Sequence, residues 1–383
     1  MDKILNQAGK ALADFRDLPQ VTGDWEQLVG NRFIAEQMDY NPDSELAKAS
    51  ENIAKLNPEQ KLMHDEILAS VLRTDAQGRP QGKIFFVNGP GGCGKSFNWN
   101  TISSSCRGHS LIVLCVASSG IAALILTGGR TSHSVLGIPI ALDEASLSFF
   151  KKNSERAELL KKTSLIIWDE VPMQHRFAVE AIDRTLRDFL DQPNLPFGGI
   201  TVAFGGDFQQ TLPVVRKGTK EDIVGACIQR SYLWRHIKVL HLTKNMRVDP
   251  NDAQSAQFAQ WLLDVGHGKD LPLDHTFALP EHMICGPETS DLIQKIYPDV
   301  EHGDALQDKY FLECAILCPR DVEVDVIDTL VFHQFPGDGH LSSSADSVKG
   351  SKGEGQLYPV EYLNSINMGG LPPSHQKHAC GSK

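Results

Sequence analysis

The chain has 383 residues, 41% hydrophobic and 22% charged, a balance that supports a sizeable core and excludes collagen-like, wholly disordered and disulfide-scaffold classes. Its 37 basic and 48 acidic residues leave a net charge of −11, so a general basic coat for nucleic acid is absent and any such contact must come from a local groove. The acid is uneven: residues 1–60 carry 6 Lys/Arg against 11 Asp/Glu, a net of −5, while residues 101–135 hold no Asp or Glu. The eight cysteines are scattered with no Cys-x-x-Cys pair, and Met1-Asp2-Lys3-Ile4 does not open a signal peptide, so a reduced, intracellular, soluble protein is expected. No membrane partner is expected, because the most apolar run, Leu111–Leu126, is short and broken by Ser118-Ser119-Gly120. The fourteen histidines show no metal-ligand spacing.

In chain order, residues 1–55 form an acidic segment expected to be helical. Residues 56–246 alternate short β-rich runs with helical patterns, the signature of an α/β domain with a mostly parallel sheet. The expected strands are Lys83–Asn88, Leu111–Val116, Ser164–Trp168, Ile200–Gly205 and Ile237–Leu242. Phe177–Leu190 reads as a helix with Ile182, Leu186, Phe189 and Leu190 on one face. Residues 247–383 restart the pattern as a partial second α/β domain. A helix is expected over Ala253–Val265, a strand over Leu312–Leu317, and a helix after Pro319 carrying Val322, Val326, Ile327 and Leu330. Residues 336–356, rich in Gly, Ser and Asp, read as a flexible loop, and Leu371–Lys383 show no strand or helix able to close a sheet.

Gly89-Pro90-Gly91-Gly92-Cys93-Gly94-Lys95-Ser96 is a complete Walker A pattern directly after the apolar run Ile84–Val87. Glycines let the backbone aim several N–H groups at phosphate oxygens, and a helix starting near Gly94 adds its partial positive end. Lys95 would bridge the β- and γ-phosphates of ATP, and Ser96 would ligate Mg²⁺ through its hydroxyl. Cys93 is either a thiol activated by the helix start or simply a small residue that fits. The apolar strand Leu165–Trp168 runs into Asp169-Glu170, where Asp169 would hold the metal's water shell and Glu170 would polarise the attacking water.

Gly206-Asp207-Phe208-Gln209-Gln210-Thr211 follows another strand; a glutamine there could sense the γ-phosphate, although the segment by itself reads as an ordinary turn. Asn57-Pro58-Glu59-Gln60 opens a helix, with Asn57 capping and Pro58 first. Gln60 could offer its amide to an adenine edge, or be a surface glutamine at a helix start. Arg247, placed at the domain junction, could reach the γ-phosphate or serve in a surface ion pair. Ala117–Ala123 and Gly128-Gly129-Arg130-Thr131-Ser132-His133-Ser134 supply hydroxyls, amides and one arginine without acids, which suits a single-strand phosphate track; helix starts share that composition.

Taken in order, these segments resemble the superfamily-1 DNA helicases of the petite-integration-frequency (Pif) family, most of all the branch that includes the helicase part of Helitron rolling-circle transposons. The resemblance runs from about Leu56 to Leu371. Leu56–Gln60 matches the Q motif, Gly89–Ser96 motif I, Ala117–Ala122 motif Ia, Asp169-Glu170 motif II, Gly206–Val214 motif III, and Arg247 the arginine of motif IV. Ser344–Ser347 and Tyr358–Asn364 also look like family text. The resemblance implies two RecA-like domains with ATP in their cleft, the second incomplete here, translocating 5′ to 3′ on single-stranded DNA and opening forked duplexes. It places Gln60 on adenine, Gly89–Ser96 on phosphate, Ser96 and Asp169 on Mg²⁺, Glu170 on water, Gln210 and Arg247 on the γ-phosphate, and Ser118, Thr131 and His133 near DNA.

The resemblance further implies a nuclear protein of recombination, repair and telomere maintenance. Motifs V and VI of the family, the latter with a second arginine, are not found before Lys383, so these residues by themselves are expected to bind ATP weakly, hydrolyse it poorly and not unwind processively. Two alternatives stay open at this point: a non-catalytic ATP- and DNA-binding remnant, and a small-molecule P-loop kinase, in which motif III and Arg247 have no job.

Overall fold

A computed structural model of the chain describes residues 31–76, 78, 81–248, 252–269, 279–305, 308–318, 320–336, 339–343 and 375–379. The chain divides into two compact units, Met1–Asp270 and Leu271–Lys383.

In the first unit six parallel strands, β1 (Ile84–Asn88), β2 (Ile112–Ala117), β3 (Arg130–Thr131), β4 (Thr163–Asp169), β5 (Thr201–Gly206) and β6 (Ile237–His241), form one sheet in the order β3-β2-β4-β5-β1-β6. The five expected strands are therefore present, each within a residue of its expected limits. β1, β2, β4 and β5 are apolar along most of their length because both faces of a parallel sheet are covered. Ile84, Phe86, Leu114, Val116, Ile166 and Trp168 enter one core with Ile182, Leu186 and Phe189 of the helix Arg176–Phe189. Phe85, Val87, Val113, Cys115, Leu165 and Ile167 enter the other, with Met63 and Ile67 of the helix Pro58–Val71 and Trp99 and Ile102 of the helix Lys95–Gly108.

Before the sheet, the acidic segment is helical at Arg32–Met38 and Pro42–Ile53; the expectation for residues 1–30 lies outside the described residues. The helix Pro42–Ile53 packs on the helix Lys95–Gly108 so tightly that a Cβ at Gly108 would stand 2.6 Å from the Leu46 side chain. The segment is thus part of the first unit rather than an appendage to it.

The second unit departs from its expectation. The described residues form the helices Thr289–Ile296, Asp308–Glu313 and Asp321–Gln334 and an antiparallel pair, β7 (Gly339–Ser343) with β8 (His375–Ala379). The helix after Pro319 is present, but Leu312 and Glu313 end a helix and residues 314–318 are irregular, so no strand occupies Leu312–Leu317. A short apolar run does not by itself distinguish a buried strand from a helix segment. β7 lies inside the stretch read as a loop and β8 inside the tail read as unstructured. Both are polar, so no apolar alternation announced them. The remainder of that loop and the segments Ser344–Ser347 and Tyr358–Asn364 lie outside the described residues. Among the described residues no parallel sheet occurs in this unit, and no helix is long and apolar enough to cross a membrane.

Candidate active site

The strand order brings the carboxyl ends of β4, β5 and β1 side by side, and each end carries one of the sequence motifs. β1 leads into Gly89–Gly94, whose backbone reverses at Gly92 (φ +87) and Gly94 (φ +81), left-handed values that glycine adopts without a Cβ penalty. Gly94 is the N-cap of the helix Lys95–Gly108, and Ser96 is its second residue. The Lys95 side chain is buried and turns back over the loop, its Nζ donating to the carbonyl oxygens of Gly89 and Pro90. Cys93 is fully buried and burial pushes its thiol up, against the activated thiol and in favour of the small residue that fits.

β4 ends in Asp169, 4% exposed, whose Oδ1 accepts a hydrogen bond from Trp99 Nε1 at 3.2 Å. Burial raises its carboxyl above the ordinary value, opposed by the Trp99 hydrogen bond and the Lys95 charge. Glu170 follows in a left-handed conformation (φ +54), unusual for a side chain of its size. Its carboxyl is also raised, first by burial and then by the charges of Asp169 and Asp207, with Lys95 opposing. Such a carboxylate is more basic than one in water, the property a general base needs. β5 passes so close that a Cβ at Gly205 would lie 2.4 Å from Asp169 Oδ1 and 2.9 Å from the Trp99 ring. Glycine is required at that position by packing alone.

Beyond β5, Asp207 is buried and organises its loop: its Oδ1 accepts from the Gln209 N–H (3.0 Å) and its Oδ2 from Gln210 Nε2 (3.2 Å). Phe208 anchors the loop from below, stacked on Phe86 at 4.8 Å. Gln210 is therefore held at the sheet edge. The stretch is a buttressed turn rather than a free one.

Gln60 is almost fully buried, and both ends of its amide are engaged. Oε1 accepts from the Asn57 N–H and Nε2 donates to the Cys93 carbonyl, each at 3.0 Å. The capping box Asn57–Gln60 begins the helix as expected, but it also props the phosphate loop, since a Cβ at Gly94 would stand 2.4 Å from Gln60 Nε2. In this arrangement the amide braces the loop, and an adenine contact would have to compete with those partners. Arg247 belongs to the first unit and runs along the loop: a Cβ at Gly92 would meet its side chain at 3.2 Å.

The expected DNA track lies at the ends of β2 and β3. The Ser118 N–H donates to the Asp169 carbonyl at 3.1 Å, and its hydroxyl accepts from Trp168 Nε1 at 3.3 Å, joining the track to β4. Thr131 Oγ1 donates to Ser134 Oγ (3.1 Å) at the start of the helix Ser132–Leu136. Burial lowers the pKa of His133, so its ring is neutral at pH 7 and offers a hydrogen bond or a flat face rather than a charge. The carboxylate-free window is not carboxylate-free in space. Arg130 pairs with Glu36, and Arg107 is buried under the Tyr40 ring, 4.1 Å from its centroid. Arg107 is thus withdrawn from the surface, whereas Arg130 stays exposed with an acid distant in sequence beside it.

Several residues of the site carried no sequence signal. Trp99 looks like core yet supplies the Asp169 hydrogen bond. Glu59 read as part of a helix start, and Thr243–Met246 only as the residues leading into Arg247. Asp207, between the motif III glycines and glutamines, and Glu59, within Asn57–Gln60, stood in segments already singled out, without a role of their own.

A model of the PIF1-like helicase family matches residues 55–274, more than half of the chain. An ATP-dependent DNA helicase Pif1 of Psychrobacter sp. is 31% identical over 178 residues, which cover 46% of this chain and 27% of that protein. The ATP-dependent DNA helicase PIF4 of Trypanosoma brucei brucei is 31% identical over 190 residues, covering 46% and 23% respectively. The chain thus spans about a quarter of the length of these relatives. Among solved structures, the Pif1 helicase of Candida albicans aligns with a TM-score of 0.55 at 20% identity, covering 85% of this chain and 64% of that one. A Bacteroides Pif1 bound to ssDNA aligns with a TM-score of 0.55 at 21% identity, covering 84% and 63%. These two establish likeness of fold, including the RecA-like character of the sheet. By its matched residues and its fold, the chain belongs to the PIF1-like helicase family.

Proposed function

We propose that the chain carries the ATP-hydrolysing site of a DNA helicase that moves 5′ to 3′ on single-stranded DNA and engages forked DNA. The observation that supports this reading best is the convergence of Gly89–Ser96, Asp169-Glu170 and Gly206–Gln210 on three adjacent strand ends, with Arg247 along the same loop. In this reading the loop N–H groups and Lys95 bind the phosphates, Glu170 accepts the proton of the attacking water, and Gln210 and Arg247 contact the γ-phosphate. Ser118, Thr131 and His133 face the DNA, and Gln60 both braces the loop and borders adenine.

The residues present also suit Mg²⁺. Asp169 is a buried carboxylate that accepts from Trp99 Nε1, and Ser96 offers a hydroxyl at the helix start. Among the described residues no three His, Cys, Asp or Glu gather into a protein cage. A donor set of this kind fits an ion that keeps several waters and completes its shell with phosphate oxygens. When bound, the ion would neutralise charge on the phosphates.

Of residues 1–383 taken alone, we propose weak nucleotide binding, slow turnover and no processive unwinding. Nuclear residence and work in recombination, repair and telomere maintenance are proposed from the family only. Binding of single-stranded, forked and blunt DNA, with and without a non-hydrolysable ATP analogue, tests the reading. Retention of single-stranded and forked DNA that changes with nucleotide is expected. ATP turnover indifferent to DNA but dependent on a small-molecule acceptor would overturn it, and robust unwinding of 5′-tailed forks by 1–383 would overturn the proposed impairment.

A further inference from the structure

Glu59 stands in the first turn of the helix Pro58–Val71, next to the buried Gln60 but turned away from it. Its carboxylate collects donors from one distant segment: the Thr243 N–H at 2.8 Å, the Thr243 hydroxyl at 2.6 Å and the Lys244 N–H at 3.4 Å. Those hydrogen bonds, the Thr243 hydroxyl first, hold its carboxyl below the ordinary glutamate value. From there the chain is tied to β1, to the helix start and to the phosphate loop. Leu242 N–H donates to the Asn88 carbonyl at 2.9 Å and Met246 N–H to the Gly92 carbonyl at 2.8 Å. Asn57 Nδ2 contacts Met246 Sδ at 3.4 Å, and Asn245 Oδ1 accepts from the Arg247 N–H at 2.9 Å. Residues 242–247 therefore form a strap laid over Gly92, with Arg247 at its end.

We infer that Glu59 is a positioning residue: by clamping Thr243 and Lys244 it fixes the strap over Gly92 and so sets where Arg247 meets the nucleotide. The clamp follows from the contacts; its consequence for ATP rests on the function proposed above. A carboxylate accepting three donors is a stronger and more directional anchor than a surface ion pair, and losing it frees residues 243–247, which are otherwise held by single hydrogen bonds beyond the buried Leu242. A segment so anchored ties the start of the Q-motif helix to the γ-phosphate end of the site without touching substrate itself.

Two measurements on the full chain separate the clamp from the ATP reading. Hydrogen exchange without nucleotide is expected to show the peptide covering 243–247 exchanging about tenfold faster in Glu59→Ala, less so in Glu59→Gln, which keeps an acceptor oxygen, and in Thr243→Val, which keeps the N–H. Unchanged protection in Glu59→Ala overturns the inference, whether or not the chain binds ATP. In ATP turnover, Glu59→Ala is expected to lower kcat about tenfold, with ADP affinity changed less than twofold and partial rescue in Glu59→Gln. Adding Glu59→Ala to Arg247→Ala should cost nothing more, and fully additive losses overturn the positioning role. Loss of ADP affinity equal to the loss of kcat would reduce Glu59 to a structural residue of the loop. A chain that binds no nucleotide in the wild type fails the ATP reading alone and leaves the exchange result to decide the clamp.

Discussion

The ends of the central strands and the ends of β2 and β3 belong to one sheet edge but are built on opposite principles. At the centre Lys95 is 8% exposed, Asp169 4% and Asp207 8%, each with a named partner. At the outer end Ile121 is 79% exposed and Leu124 85%, and Thr131 and His133 are only half-buried. Burial makes the central groups costly and therefore fixed: a desolvated carboxylate or amine persists only where its partners are supplied in advance. The outer groups are less deeply buried and, on the function proposed above, would meet a long, variable ligand. On that proposal chemistry belongs where the protein has excluded water, and recognition of a polymer where it has not.

The largest effect that would sharpen this contrast is expected for Lys95→Ala, which should lower ATP turnover at least about a hundredfold while leaving DNA binding without nucleotide within a few-fold. Equal losses of both would erase the division. Glu170→Gln should follow, with a loss of roughly 10²–10⁴ in turnover. Because it removes a desolvated carboxylate that the charges of Asp169 and Asp207 oppose, it should also raise the Tm of the protein in metal-free buffer. A lower Tm would contradict the stated cause of its raised pKa.

Gly205→Ala pushes a methyl group against Asp169 and Trp99, both held by the fold, and should cost about 1–3 kcal/mol in denaturant titration. An unchanged midpoint would mean that this edge is looser than its contacts. The smallest effects are expected at the outer end: Thr131→Ala and His133→Ala should weaken single-strand affinity a few-fold with ADP affinity intact. His133 also sets a pH expectation. Its folded pKa is depressed, so its contribution to stability is present above the ordinary histidine value and lost as pH falls through the lowered one. Because burial disfavours the charged ring in the folded protein, any rise in DNA affinity on mild acidification should largely persist in His133→Ala.

The same contrast decides what could be read without coordinates. The phosphate loop, Asp169-Glu170 and the five expected strands were legible because apolar runs ending in polar motifs leave few alternatives for a parallel sheet. Gln60 and Arg247 were legible as residues, but not the partners they hold: the Cys93 carbonyl and Gly92 lie 33 and 155 positions away in the chain, and no local pattern encodes such a meeting. Glu59 was invisible for the same reason, as an ordinary acid in a first helical turn. A window empty of acids in sequence likewise meets Tyr40 and Glu36 from outside it, over Arg107 and beside Arg130, which no local pattern announced. β7 and β8 escaped because their pairing is carried by backbone hydrogen bonds, with no hydrophobic alternation to betray it.

ATP turnover by the purified chain, with and without single-stranded DNA and beside Lys95→Ala, tests the central claim most directly. Slow turnover that single-stranded DNA raises and Lys95→Ala abolishes is predicted. Turnover unaffected by DNA, or surviving in Lys95→Ala, would contradict a central phosphate site coupled to an outer DNA edge.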